Sequence, residues 1–175
     1  MAWNGVRHME TWYGIMGLGG VVHTLNPRLS DKDLQYIMNH AADELLLADI
    51  TFLPQLQRLL PLVPSCKGLV FLTDRLHMPQ QHGITCCPVY CYEELLSKAA
   101  EAAARRPQGS PLFSWKQVEE TAACGLCYTS GTTGNPKGVL YSHRAQVLHA
   151  LLLLQGDAVA PDLGQRVPLS GKWGA

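Results

Sequence analysis

The sequence predicts an α/β fold with a largely parallel sheet flanked by helices. Helical and extended patterns alternate through the first third of the chain, and two short apolar runs are joined by one helix-length segment. A later apolar run leads straight into a glycine-rich segment and then a helix.

Val6, Met9, Tyr13 and Met16 recur at helical spacing, Gly17, Gly19 and Gly20 interrupt them, and Val21–Leu25 is a β-branched run closed by Asn26-Pro27. This predicts helix, glycine turn and strand. Ser30 and Asp33 stand like the ends of a capping box, with Leu34, Ile37, Met38 and Ala41 following on one helical face. Leu45–Asp49 and Gly68–Thr73 read as buried strands, joined by a helix over Phe52–Leu60 that Pro61 and Pro64 stop. Buried strands connected through a helix imply parallel pairing. The polar segment Leu76–Gly83 predicts a loop, Ile84–Val89 a short strand and Tyr92–Ala104 a helix. The run RRPQGSP (105–111) is the best exposed connector.

Composition narrows the function classes. The 175 residues are 47% apolar and 16% charged, enough for one domain core or a piece of a larger one. Lysine plus arginine and aspartate plus glutamate each number 14, which argues against nucleic acid as a partner. The longest aliphatic stretch, Ala150–Leu154, is far short of the roughly 20 residues that cross a bilayer. The start, MAWNGVRHME, lacks the pattern of a secretory signal. No transmembrane segment is expected, and the location is expected to be intracellular, in the cytoplasm or an organelle matrix.

The six cysteines are spaced poorly for a metal site. Cys124 and Cys127 form a CxxC inside a predicted strand, where residues that far apart point to opposite faces. Small buried thiols in a reducing compartment are the expectation.

The segment from Cys124 to Gly138, CGLCYTSGTTGNPKG, carries the chemistry. A chain that wraps phosphate oxygens needs glycines so that backbone N–H groups converge unobstructed, with hydroxyls and a cation to complete the coordination. Gly131, Gly134 and Gly138 permit the turns, Ser130, Thr132 and Thr133 supply hydroxyls, Pro136 stiffens the exit and Lys137 brings positive charge. A Walker loop is excluded, because Pro136 precedes Lys137 and Gly138 follows it. The early GIMGLGG is a turn and not a dinucleotide fingerprint, since a frame starting at Gly17 ends on Val22. His143 reads as the start of a helix capped by Ser142 rather than as a general base, because no carboxylate lies near it in sequence. The histidines at 8, 23, 40, 77, 82 and 149 show no ligand spacing and receive no role. Leu148–Leu154 read as the core of a helix covering the sheet before they read as a fatty-acid channel.

The segment YTSGTTGNPKG (128–138) matches, residue for residue, the phosphate-loop motif of the adenylate-forming, or AMP-dependent synthetase/ligase, superfamily. Trp3–Leu29 resembles a helix and strand of the bacterial medium- and long-chain fatty acyl-CoA ligases, and Val139–Leu148 resembles their continuation after the loop. The resemblance covers Trp3–Leu154, so residues 1–155 are expected to form a partial AMP-binding domain and 156–175 a divergent tail.

That resemblance implies a fragment of an ATP-dependent acid–thiol ligase, an acyl-CoA synthetase. A carboxylic acid, by resemblance a fatty acid, attacks the α-phosphate of ATP to give acyl-AMP and pyrophosphate, and coenzyme A then takes the acyl group. It also implies that Thr129, Ser130, Gly131, Thr132, Thr133 and Gly134 cradle the β- and γ-phosphates while Lys137 stabilises their charge. The superfamily uses Mg2+, whose ligand is not expected among these residues. The adenine, ribose and lid segments of the superfamily are not found in the 175 residues, so the isolated chain is expected to be inactive. The alternative is a truncated, non-catalytic protein that binds phosphate or a partner polypeptide.

Overall fold

The computed structural model describes residues 1–107, 111, 113–129 and 134–154. Helix α1 spans Val6–Gly17. It closes in a Schellman turn: Gly19 N–H donates to Met16 O, Gly20 N–H donates to Ile15 O, and Gly19 takes φ 76, where a side chain would be strained. The glycines are therefore a helix stop, as the sequence predicts, and they turn the chain into β1, Val22–His23.

Helix α2, Asp31–Ala41, is capped by Ser30, whose hydroxyl accepts from Asp33 N–H at 3.1 Å. Leu34, Ile37 and Met38 are its buried stripe. Ala42 ends it at φ 53, an uncommon conformation for alanine, and Asp43 N–H then bonds back to Met38 O. Strand β2, Leu45–Ala48, follows.

The helix expected over Phe52–Leu60 is α3, Leu53–Leu59, flanked by 3-10 turns at Ile50–Phe52 and Leu60–Leu62. Asp49 caps the first turn by accepting from Thr51 N–H. Strand β3 is Gly68–Phe71. The strand expected at Ile84–Val89 forms later, as β4 at Val89–Cys91. Pro88 explains the shift: it has no N–H to donate, and its carbonyl instead accepts from Leu69 N–H as the ladder begins. Helix α4 occupies Tyr92–Ala104, the range that its sequence predicts.

Strands β5, Ala123–Thr129, and β6, Lys137–Ser142, precede α5, His143–Leu153. The pairs β1–β5, β2–β3 and β3–β4 are parallel, and β5–β6 is antiparallel. The sheet is largely parallel, but among the described residues it is divided into β1-β5-β6 and β2-β3-β4. The core sits mainly around the second sheet, where Leu34, Ile37 and Met38 of α2 and Leu56 and Leu59 of α3 meet Leu69 and Phe71 of β3. Burying side chains of this size contributes about 1.5–3 kcal/mol each.

Two expectations change here. The leucines of α5 are not core: Leu148 is 51%, Leu151 55% and Leu152 59% exposed. Among the described residues α5 packs chiefly against β6, the outer strand of its sheet, and an apolar sequence cannot report which strand its helix meets. The cysteines divide. Cys66, Cys91 and Cys124 are buried and Cys87 and Cys127 half-buried, whereas Cys86 is exposed, and all are free thiols.

Candidate functional site

β5 and β6 form a hairpin whose last pair before the turn is Thr129 opposite Lys137. Both side chains are exposed at the mouth of the connecting segment. Ser130, Gly131, Thr132 and Thr133, the centre of the expected phosphate cradle, lie outside the described residues. Gly134 takes φ 89 with no atom within 4 Å of where a Cβ would stand, so glycine serves backbone conformation there rather than close packing. Gly138 has the opposite reason. A Cβ on it would stand 3.1 Å from the Tyr128 ring and 3.3 Å from Leu126 Cδ1.

Tyr128, the first residue of the motif, is held from two sides. Its hydroxyl lies 2.6 Å from His40 Nδ1 of α2, and its ring lies 5.2 Å from the His23 ring of β1. His23 Nδ1 is in turn 2.8 and 3.0 Å from the two carboxylate oxygens of Asp43. Tyr36 stacks on His40 at 5.4 Å, one helical turn away on α2. Burial, with the Asp43 charge as a smaller contribution, pushes the Tyr128 phenol above its ordinary value, so it stays protonated near neutral pH. The end of the hairpin next to the mouth is thus anchored on α2 and β1 through Tyr128, while Thr129 and Lys137 are exposed.

Sequence reasoning assigned His23 and His40 no role, and they join this anchor across separations of 20 and 88 residues. No local spacing announces such contacts. His143 lies away from the mouth: its neighbour Ser142 pairs with Ala123 at the far end of the hairpin, and six strand residues span about 20 Å. Ser142 caps α5 by accepting from Ala145 N–H at 3.2 Å, so His143 opens a helix, as its sequence suggests. Cys127 Sγ is 3.7 Å from the Thr24 hydroxyl, and Cys124 Sγ contacts Tyr141 O at 3.5 Å.

Thr129 thus closes β5 and Lys137 opens β6, and the protein-family comparison decides what frame they belong to. The model described as AMP-binding enzyme matches residues 1–167. The chain belongs to the AMP-binding enzyme family. It is 40% identical over 159 residues to the medium-chain-fatty-acid–CoA ligase of Ectopseudomonas oleovorans, covering 91% of this chain and 27% of that protein. It is 42% identical over 152 residues to the 3-methylmercaptopropionyl-CoA ligase of Ruegeria pomeroyi, covering 86% of this chain and 25% of that protein. It therefore spans about a quarter of the length of these relatives. In fold it is similar to a red-emitting luciferase from Phrixothrix hirtus, with a TM-score of 0.73 at 16% identity, over 95% of this chain and 36% of the luciferase. An anthranilate–CoA ligase in complex with anthranoyl-AMP gives a TM-score of 0.68 at 22% identity, over 87% of this chain and 26% of the ligase. Among the described residues no helix is long and apolar enough to cross a membrane.

Proposed function

We propose that this chain is the phosphate-holding portion of an ATP-dependent acyl-CoA synthetase. The observation that supports the reading is that β5 ends on Thr129 and β6 begins on Lys137, opposite each other, within the motif YTSGTTGNPKG, in a chain of the AMP-binding enzyme family. In the complete reaction a carboxylate oxygen forms a bond to the α-phosphorus of ATP, the bond to the β-phosphate bridge breaks, and pyrophosphate leaves. Coenzyme A sulfur then bonds the acyl carbon as AMP departs. A fatty or other small carboxylic acid is the substrate that the named relatives support.

The part assigned to these residues is electrostatic. Negative charge grows on the leaving pyrophosphate, and donors fixed in advance stabilise it without reorganising. Thr129, Ser130, Thr132 and Thr133 would donate hydroxyls, Gly131 and Gly134 backbone N–H groups, and Lys137 a point charge. The described donor set fits phosphate, since Thr129 and Lys137 flank the mouth and Gly134 leaves open space beside it. It does not fit Mg2+: the hairpin offers hydroxyls rather than carboxylates, and among the described residues no three His, Cys, Asp or Glu gather as ligands.

Titration of the 175-residue chain with inorganic pyrophosphate, followed by amide NMR, tests the reading. Shifts confined to Thr129–Gly138 and weakened in Lys137→Ala are expected. Shifts spread over the surface, or unaltered by the substitution, would overturn it. No acyl-AMP is expected from these residues alone, because orientation of acid against nucleotide needs groups around the whole substrate.

A further inference from the structure

Three of the six cysteines gather where β3 and β4 begin. Leu69 of β3 stands opposite Val89 of β4, and Leu69 N–H donates to Pro88 O at 2.9 Å. Counting back along both parallel strands brings Cys66 alongside Cys86 and Cys87, at the strand spacing of about 4.8 Å or one diagonal step beyond it. The two neighbours turn different ways, as successive residues of an extended chain do. Cys87 packs against the same core as Val89, and Cys66 is a buried member of that core, whereas Cys86 is exposed.

The thiols meet in a way that core filling does not require. Cys91 and Cys124 are buried and turn their S–H groups to backbone carbonyls, Thr73 O at 3.2 Å and Tyr141 O at 3.5 Å. Cys66 Sγ likewise donates to Gly68 O, at 3.4 Å, which holds it at the entry of β3. The Cys87 thiol instead lies within hydrogen-bonding reach of both the Cys66 and the Cys86 thiols.

We propose that Cys66, Cys86 and Cys87 form an oxidisable site that takes a small-molecule disulfide of the glutathione type, with Cys86 as the point of attack and a Cys66–Cys87 disulfide as the product. Exposure and acidity divide the roles. Burial pushes the Cys87 thiol up to about 12 and raises Cys66 as well, so neither opens the sequence near neutral pH, and the solvent-facing Cys86 does. The Cys86 thiolate bonds one sulfur of the small disulfide, its S–S bond breaks, and one glutathione thiolate leaves. Cys87 sulfur then bonds Cys86 sulfur, and the second glutathione departs with the Cys87 proton. Cys66 sulfur finally bonds Cys87 sulfur, and Cys86 leaves as a thiol carrying the Cys66 proton. Two protein thiols have lost two electrons and two protons, and one glutathione disulfide has become two glutathione thiols.

Geometry drives the last transfer. Adjacent residues have Cα atoms about 3.8 Å apart, short of the roughly 4.4–6.8 Å that a disulfide prefers, whereas neighbours on adjoining strands fall within that range. The Cys86–Cys87 bond is therefore strained, and the cross-strand bond relieves it. The product clamps the entry of β3 to the entry of β4.

The test incubates the 175-residue chain with oxidised glutathione near neutral pH, alkylates the remaining thiols and maps the peptides by mass spectrometry. A Cys66–Cys87 linked pair is expected, with Cys86, Cys91, Cys124 and Cys127 alkylated. The linked chain should melt several degrees higher, and reduction should reverse the gain. Cys86→Ser should slow the linkage by about tenfold or more, since the exposed thiol that starts the exchange is gone. A glutathione adduct that stays on Cys86, a final link between any other pair, or no loss of thiols would overturn the proposal. Linkage at an unchanged rate in Cys86→Ser would overturn it as well.

Discussion

His40 Nδ1 and the Tyr128 hydroxyl, 88 residues apart, meet at 2.6 Å and fasten the β5 strand of the β5–β6 hairpin to helix α2. A hydrogen bond of this kind contributes about 0.5–1.5 kcal/mol net. Tyr128→Phe should lower stability by about that amount in urea unfolding. His40→Ala should lower it similarly, and the double variant should lose less than the sum of the two. Strictly additive losses would show that the two side chains do not act on each other.

Gly138 depends on the same anchor. An added Cβ stands 3.1 Å from a Tyr128 ring that His23 and His40 prevent from moving aside. Gly138→Ala should therefore destabilise by about 1–3 kcal/mol, as small-to-large changes in a packed site do. The cost should shrink when Tyr128 is also replaced by alanine, and chemical denaturation of the two pairs of variants measures the difference. An unchanged cost in the Tyr128→Ala background would place the clash elsewhere.

The helix boundaries and the order of elements were legible in the sequence because local chemistry sets them. Ser30 and Ser142 offer hydroxyl caps, Gly19 supplies the left-handed stop of α1, and the leucine- and alanine-rich run Tyr92–Ala104 is a helix from end to end. Pairing between distant segments was less legible. The division into two sheets depends on which edges meet, and no periodicity encodes it. The exposure of Leu148–Leu154 has the same origin, since composition marks a residue as apolar without naming its cover. At the candidate site the motif itself was readable from the order of its hydroxyls, glycines and lysine. The His23–Asp43 pair and the His40 contact were not, because they join β1, α2 and β5 only in space.

The buried amino terminus gives a pH signature. Folding lowers the Met1 ammonium from 8.0 to about 6, so the folded state disfavours the charged form. The sign follows: for a cationic group lowered by folding, the stability cost is absent above pH 8, grows as pH falls towards 6 and is complete below it. A difference of that size corresponds to about 3 kcal/mol. Nα-acetylation should raise the melting temperature more at pH 6 than at pH 9, as read by circular dichroism. An equal rise at both pH values would show that charge is not the cause.

The phosphate role of the hairpin is tested most directly in a working enzyme. Residues 1–154 of this chain replace the matching segment of the Ectopseudomonas oleovorans ligase, to which the chain is 40% identical, and ATP–pyrophosphate exchange is measured with and without Lys137→Ala. Removing a charge aimed at the leaving pyrophosphate should slow exchange at least tenfold, equivalent to about 1.4 kcal/mol or more of transition-state stabilisation. Exchange at the same rate in a chimera that folds normally and carries Lys137→Ala would contradict the assignment of this hairpin as the phosphate-holding loop.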